Sequence, residues 1–149
     1  MLCYISTNTK NIKIGPYCTN AIKRHPSAIA SSTLTLDRIT GGRINLGIKA
    51  LEQSEVTAFG IDIKKIEKDL FKEQVEVIKL LLESFDKRSN CKGEYYNLYN
   101  AYIQSPSIRK PHPPIYITSH DSTTLQLYAT HGDGWIPIGY APELYKHHV

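Results

Sequence analysis

A chain of 149 residues, 41% of them hydrophobic, is long enough to bury one core, but a complete (β/α)8 barrel takes about 250 residues. The formal charge of +4 comes from Lys and Arg scattered along the chain, with no basic run dense enough for a nucleic-acid surface, so small phosphate-bearing ligands are the more economical partners. Cys3, Cys18 and Cys91 lie far apart without a C-x-x-C pair, which argues against a zinc site or a disulfide framework and for a reducing compartment. No apolar run approaches the roughly 20 residues of a membrane span, and Met1-Leu2-Cys3-Tyr4 does not open a signal peptide, so the expected location is cytoplasmic.

In chain order, residues 1–8 read as the tail of a helix. Residues 11–18 begin as a short apolar strand that Gly15-Pro16 breaks, which predicts a bulge or turn at its end. A helix should start at Pro26, whose fixed φ suits a first turn, and stop at Gly41-Gly42. Residues 43–49, containing Ile44-Asn45-Leu46-Gly47-Ile48, read as a buried strand followed by a polar loop to Gly60. The helix over 63–85 is the plainest element, with Ile66, Leu70, Val75, Val77, Ile78, Leu81 and Leu82 near the helical period. Glu73 and Glu76 near Lys72 and Lys79 read as ordinary surface charge.

Between Asp86 and Pro114 the composition shifts to Gly, Tyr, Asn and Pro, which predicts a hairpin or extended excursion around 93–98 and a stiff connection over 106–114. Ile115-Tyr116-Ile117-Thr118 resumes as a strand. A helix follows over 122–130, capped by Asp121 or Ser122, and then the turn and strand Gly132-Asp133-Gly134-Trp135-Ile136-Pro137. Strands and helices in this alternation predict an α/β fold built of parallel βαβ units.

Two places carry candidate chemistry. The junction Thr118-Ser119-His120-Asp121-Ser122-Thr123-Thr124 clusters hydroxyl donors where a helix terminus offers free N–H groups and partial positive charge, so it suits a phosphate as well as a simple cap. Asp121 is repulsive toward a phosphate there. The loop after Ile48 holds Lys49, Glu52 and Glu55, which suit either an anion contact through Lys49 or an ordinary solvated loop. His25, His112, His131, His147 and His148 lack metal-ligand spacing, so no metal site is expected. Tyr95, Tyr96, Tyr99 and Tyr102 suit a pocket border or the packing of the excursion.

Thr19-Asn20 followed by Arg24-His25-Pro26, Thr35-Leu36-Asp37-Arg38, Gly41-Gly42-Arg43, Leu46-Gly47-Ile48, Pro113-Pro114-Ile115-Tyr116-Ile117 and Gly132-Asp133-Gly134 occur in one order. In that order they resemble the luciferase-like superfamily of flavin- and deazaflavin-dependent oxidoreductases, across residues 15–140. The resemblance implies a partial (β/α)8 TIM-type barrel in a single domain over 1–149, with the central βα units present and the family's first and closing strands absent. It implies hydride transfer with a small organic substrate, using the deazaflavin coenzyme F420 or, as an alternative, FMN. Methylene-tetrahydromethanopterin reductases and sugar-phosphate dehydrogenases are the nearest in pattern, and an FMN-dependent monooxygenase is the runner-up.

Carried onto this sequence, the resemblance gives Thr118, Ser119, His120, Ser122 and Thr123 to the cofactor's phosphate side. It gives Tyr17 and Cys18, joined by a cis peptide bond, to the back of the ring. Lys49 is implied beside an anionic cofactor group and Glu52 as general acid. Lys49 and Leu51 stand where relatives usually have glycines, a departure that alters the space near the ring. A barrel with half its strands would expose edges, so the expected partner, besides the substrate, is a second copy or a complementing barrel fragment. A non-catalytic remnant is the reading from a different functional class.

Overall fold

The computed structural model describes residues 1–49, 57–60, 68–119 and 130–138. Helix α1 (Leu2–Asn8) leads to the short strand β1 (Thr19–Asn20), helix α2 (Pro26–Thr40) and strand β2 (Leu46–Lys49). Helix α3 (Lys68–Leu82), the hairpin β3 (Ser89–Lys92) and β4 (Asn97–Ala101), and strands β5 (Ile115–Ser119) and β6 (Gly134–Pro137) follow. The predicted helix over 63–85 is thus found from Lys68, its earlier residues lying outside those described. The predicted helix over 122–130 lies outside them up to residue 129, with Thr130 found in a turn, and the loop residue Glu52 also lies outside them.

The ends of α2 follow from local chemistry. Pro26 fills the first position, His25 caps the start by accepting the Ser27 N–H on Nδ1, and Gly41 closes it in the left-handed region at φ 63°. Ile29, Ala30, Thr33, Leu34 and Asp37 form its buried stripe, which packs against α3 and the sheet. From α3, Phe71, Val75, Ile78, Leu81 and Leu82 join Ile29, Leu34, Leu46, Ile48, Ile115 and Ile117 in one core.

The main sheet runs β1-β2-β5-β6, every neighbouring pair parallel, and the β3–β4 hairpin is a separate antiparallel pair. Parallel neighbours joined through helices are the βαβ grammar read from the sequence. Leu46, Ile48, Ile115 and Ile117 face the helices. Alternation therefore turns Gly47, Lys49, Tyr116 and Thr118 to the opposite face.

The predicted strand over 11–18 is corrected in detail. Ile14 makes one isolated parallel bridge to Ile44, and pairing resumes only when Thr19 meets Ile48. Five residue steps on this strand are matched by four on β2, so one residue is extra and the chain bulges over Gly15-Pro16-Tyr17-Cys18. Gly47 is required opposite, because a Cβ there would strike the Pro16 and Tyr17 carbonyl oxygens. The cis bond expected at Tyr17–Cys18 is not found: among the described residues the cis peptide is Lys110–Pro111. The sheet accommodates the extra residue by bulging, without inverting that bond.

Candidate functional site

The strand register assembles the site. Asn20 pairs with Lys49, Lys49 with Thr118 and Thr118 with Ile136, so these four form one row across the C-terminal ends of β1, β2, β5 and β6. Below the row, Tyr17, Gly47 and Tyr116, with Ile136 of the row itself, help line a hollow of about 390 Å³ on the face away from the helices. The Tyr17 phenol donates to the Pro137 carbonyl at 3.2 Å, drawing the bulge across the sheet toward β6. A second cleft, of about 330 Å³, opens beside the row between the β1–α2 turn and residues 57–60, and Cys18, Asn20, Lys23, Lys49, Ala58 and Phe59 line it.

Among the described residues, a buried polar atom of Thr118 and one of Asn20 at these strand ends have no hydrogen-bond partner. Thr118 is 1% exposed, and its Oγ1 has no hydrogen-bond partner among the described residues. Asn20 Oδ1 accepts the N–H groups of Ile22 and Lys23 at 3.1 and 3.3 Å, which fixes the amide orientation and leaves Nδ2, itself buried, without a partner among the described residues. A buried polar group left unpaired costs about 1–3 kcal/mol, so such atoms mark a place where a ligand can supply the missing bond.

Of the residues expected in the site, the structure brings Tyr17, Cys18, Lys49 and Thr118 to this end of the sheet, and Ser119 closes β5 opposite Pro137. Cys18 is a half-buried free thiol. Glu52, His120, Ser122 and Thr123 lie outside the described residues. Asn20 belongs to the Thr19-Asn20 motif of the resemblance, but its relevant property, a donor left over after an Asx turn, is not legible there because its place in the site depends on the register with β2 and β5. Among the described residues, no three His, Cys, Asp or Glu side chains gather as a metal site, and no helix is long and apolar enough to cross a membrane.

The most conspicuous motifs turn out to build the scaffold. Asp37 is fully buried, and its Oδ2 accepts the Ile108 N–H at 2.6 Å and the Ser107 hydroxyl at 3.3 Å, holding the 107–109 loop under α2. Arg43 donates to the carbonyls of Thr40, Ile12 and Ser6 and to the Thr9 hydroxyl, tying α1 and the approach to β1 onto the end of α2. Asp133 accepts the Ile115 N–H at 2.8 Å and so anchors the start of β5. All three act at the N-terminal ends of the strands, away from the row of Asn20, Lys49 and Thr118. In βα barrels that end serves stability and the C-terminal end carries chemistry.

Glu73 corrects the reading of α3 as ordinarily charged on its outer face. Its carboxylate accepts the backbone N–H groups of Glu94, Tyr95 and Tyr96, the last at 2.7 Å, and clamps the turn of the β3–β4 hairpin onto the helix. The Tyr96 phenol is raised above its usual 10.0, chiefly by burial and secondarily by the Glu73 charge. Its ring meets His25 edge-on at 5.5 Å, so the hairpin also leans on the start of α2. The excursion's tyrosines thus divide between packing and solvent, with Tyr99 78% exposed.

Comparison with known proteins agrees with this geometry. The model of the family described as luciferase-like monooxygenase matches residues 1–149. A 5,10-methylenetetrahydromethanopterin reductase of Archaeoglobus fulgidus is 34% identical over 134 residues, 90% of this chain and 39% of that protein. A phthiodiolone/phenolphthiodiolone dimycocerosates ketoreductase of Mycobacterium tuberculosis is 29% identical over 128 residues, 85% of this chain and 33% of that protein. Among solved structures, an F420-dependent secondary alcohol dehydrogenase in complex with an F420-acetone adduct gives a TM-score of 0.81 at 26% identity, covering 94% of this chain and 42% of that one. The α/β fold is therefore a partial (β/α)8 barrel, and the chain spans about a third to two fifths of the length of these relatives.

Proposed function

The chain belongs to the luciferase-like monooxygenase family, and we propose that it serves an oxidoreductase that transfers hydride to or from a small organic substrate with coenzyme F420. The activity belongs to a barrel to which this chain contributes its parallel strands, together with further barrel segments or a second copy. The observation that carries the reading is the buried Thr118 hydroxyl, unpartnered among the described residues, in the row with Lys49 and beside the bulge of Tyr17 and Cys18. A hydroxyl without a partner and an ammonium at the ends of parallel strands fit the polar, anionic side of a flavin-type coenzyme. Similarity to an F420-dependent secondary alcohol dehydrogenase, at 26% identity and a TM-score of 0.81, favours the deazaflavin over FMN.

When bound, such a coenzyme supplies a ring that accepts or releases two electrons as hydride. The chain's own residues bind and orient. Tyr17 and Cys18 present the bulge as a wall, Lys49 offers positive charge, and Thr118 donates its hydroxyl. Ser119, His120, Ser122 and Thr123 hold the phosphate side. Glu52, by the family resemblance, would serve as the general acid. Gly47 keeps the hollow open, since any side chain there collides with the bulge.

Turnover measured with and without oxygen tests this reading. Oxidation and reduction of F420 that proceed equally well without oxygen support it. Oxygen uptake with reduced FMN, coupled to substrate hydroxylation, favours a monooxygenase. Activity with neither coenzyme leaves a non-catalytic barrel segment.

A further inference from the structure

The cleft beside the Asn20, Lys49, Thr118 row has a character of its own. Its described lining carries two lysines, Lys23 and Lys49, and no acidic side chain. The Lys23 ammonium sits 3.9 Å from the centroid of the Phe59 ring, which is 68% exposed, so an aromatic face on one wall holds the cation at the rim of the other. Asn20, which also lines the cleft, has a buried Nδ2 donor without a partner among the described residues after its Oδ1 takes the Ile22 and Lys23 N–H groups. The same turn is fixed from below: Gln74, fully buried on α3, donates Nε2 to the carbonyls of Ala21 and Arg24. A positively charged rim, a desolvated amide donor and a braced backbone make a receptor for an anion.

We propose that this cleft binds a carboxylate or phosphate group carried by the substrate or by the coenzyme's side chain, with Lys23 and Asn20 as its ligands. Lys23 lies at the rim, where the charge meets solvent, and Asn20 supplies the directional bond inside. The assignment of the anion to a substrate or coenzyme rests on the oxidoreductase reading, whereas the anion site rests on these residues alone.

The test is a titration of the full chain with citrate and with inorganic phosphate, followed through the Asn20 side-chain amide in proton–nitrogen spectra. A saturable shift of that amide, absent with sodium chloride at equal ionic strength, is expected. Lys23→Gln should weaken it about tenfold and Lys23→Arg should retain it. No saturable shift, or equal binding by Lys23→Gln, overturns the site. If citrate competes with F420, the anion is the coenzyme's; if citrate and F420 bind independently, it is the substrate's, and both outcomes support the cleft. A chain that binds citrate but no coenzyme loses the oxidoreductase reading and keeps this one, and the reverse result loses only this one.

Discussion

Thr118 carries a hydroxyl that the described fold does not use, although the residue is 1% exposed. Replacing it by valine keeps the shape and removes the unpaired group, so stability and binding should move in opposite directions. Thr118→Val should raise the unfolding free energy by about 1 kcal/mol, the low end of the cost of an unpaired buried group. It should weaken coenzyme binding about tenfold, the loss of about 1.4 kcal/mol. Denaturant unfolding and a coenzyme titration on the same preparation check both halves. A purely structural Thr118 would leave the affinity unchanged.

Tyr96 gives a second prediction at this scale. Burial, with the Glu73 carboxylate adding to it, raises the phenol in the folded chain above its usual 10.0. A group whose folded value is raised binds its proton more tightly when folded. Its stabilising contribution is therefore complete below pH 10.0 and is lost as pH rises through the folded value. Melting temperature measured upward from about pH 9 should fall less steeply in Tyr96→Phe than in the parent chain.

Among the elements, the bulge before β1 is the one tied most closely to function. Gly47→Ala places a methyl against the Pro16 and Tyr17 carbonyls, so the bulge must shift, with a cost of about 1–3 kcal/mol and loss of coenzyme affinity. Gly41→Ala is the control. Gly41 caps α2 at φ 63° and an added methyl would meet only open space, so alanine there should cost about 1 kcal/mol through backbone strain and leave coenzyme binding unchanged. Binding titrations of the two variants, compared at equal stability loss, separate the bulge's role from general destabilisation.

The elements also mark how far the sequence could be read. Pro26 and Gly41 announce both ends of α2, the apolar period announces most of α3, and β5 follows the proline-rich connection as expected, because these signals are local. Over residues 11–18 Gly15-Pro16 announces the bulge, whereas the single bridge of Ile14 and the later register of Thr19 depend on β2 and are not legible locally. Glu73, Asp37 and Gln74 are not legible as anchors for the same reason: their partners lie 21, 71 and 53 residues away in the chain. The motifs that carry the family resemblance identify the fold correctly, yet Asp37, Arg43 and Asp133 within them hold the strands' N-terminal ends. Asn20, in the Thr19-Asn20 motif, is the member whose leftover amide stands at the site.

At the scale of the whole molecule, four parallel strands with helices on one face present a row of polar strand ends and, beneath it, a hollow on the other face. The layout separates two tasks. Asp37, Arg43 and Asp133 secure one end of the sheet, while at the other end Asn20 and Thr118 hold unspent polar atoms on either side of Lys49. The central claim is that this second end holds a deazaflavin coenzyme. Equilibrium titration of the purified chain with F420 and with FMN, followed by the absorbance of each coenzyme and repeated with Thr118→Val, tests it most directly. A saturable spectral change with F420, a weaker one with FMN, and about tenfold loss of F420 affinity in the variant are expected. Binding of neither coenzyme, or F420 binding that Thr118→Val leaves untouched, would contradict the claim.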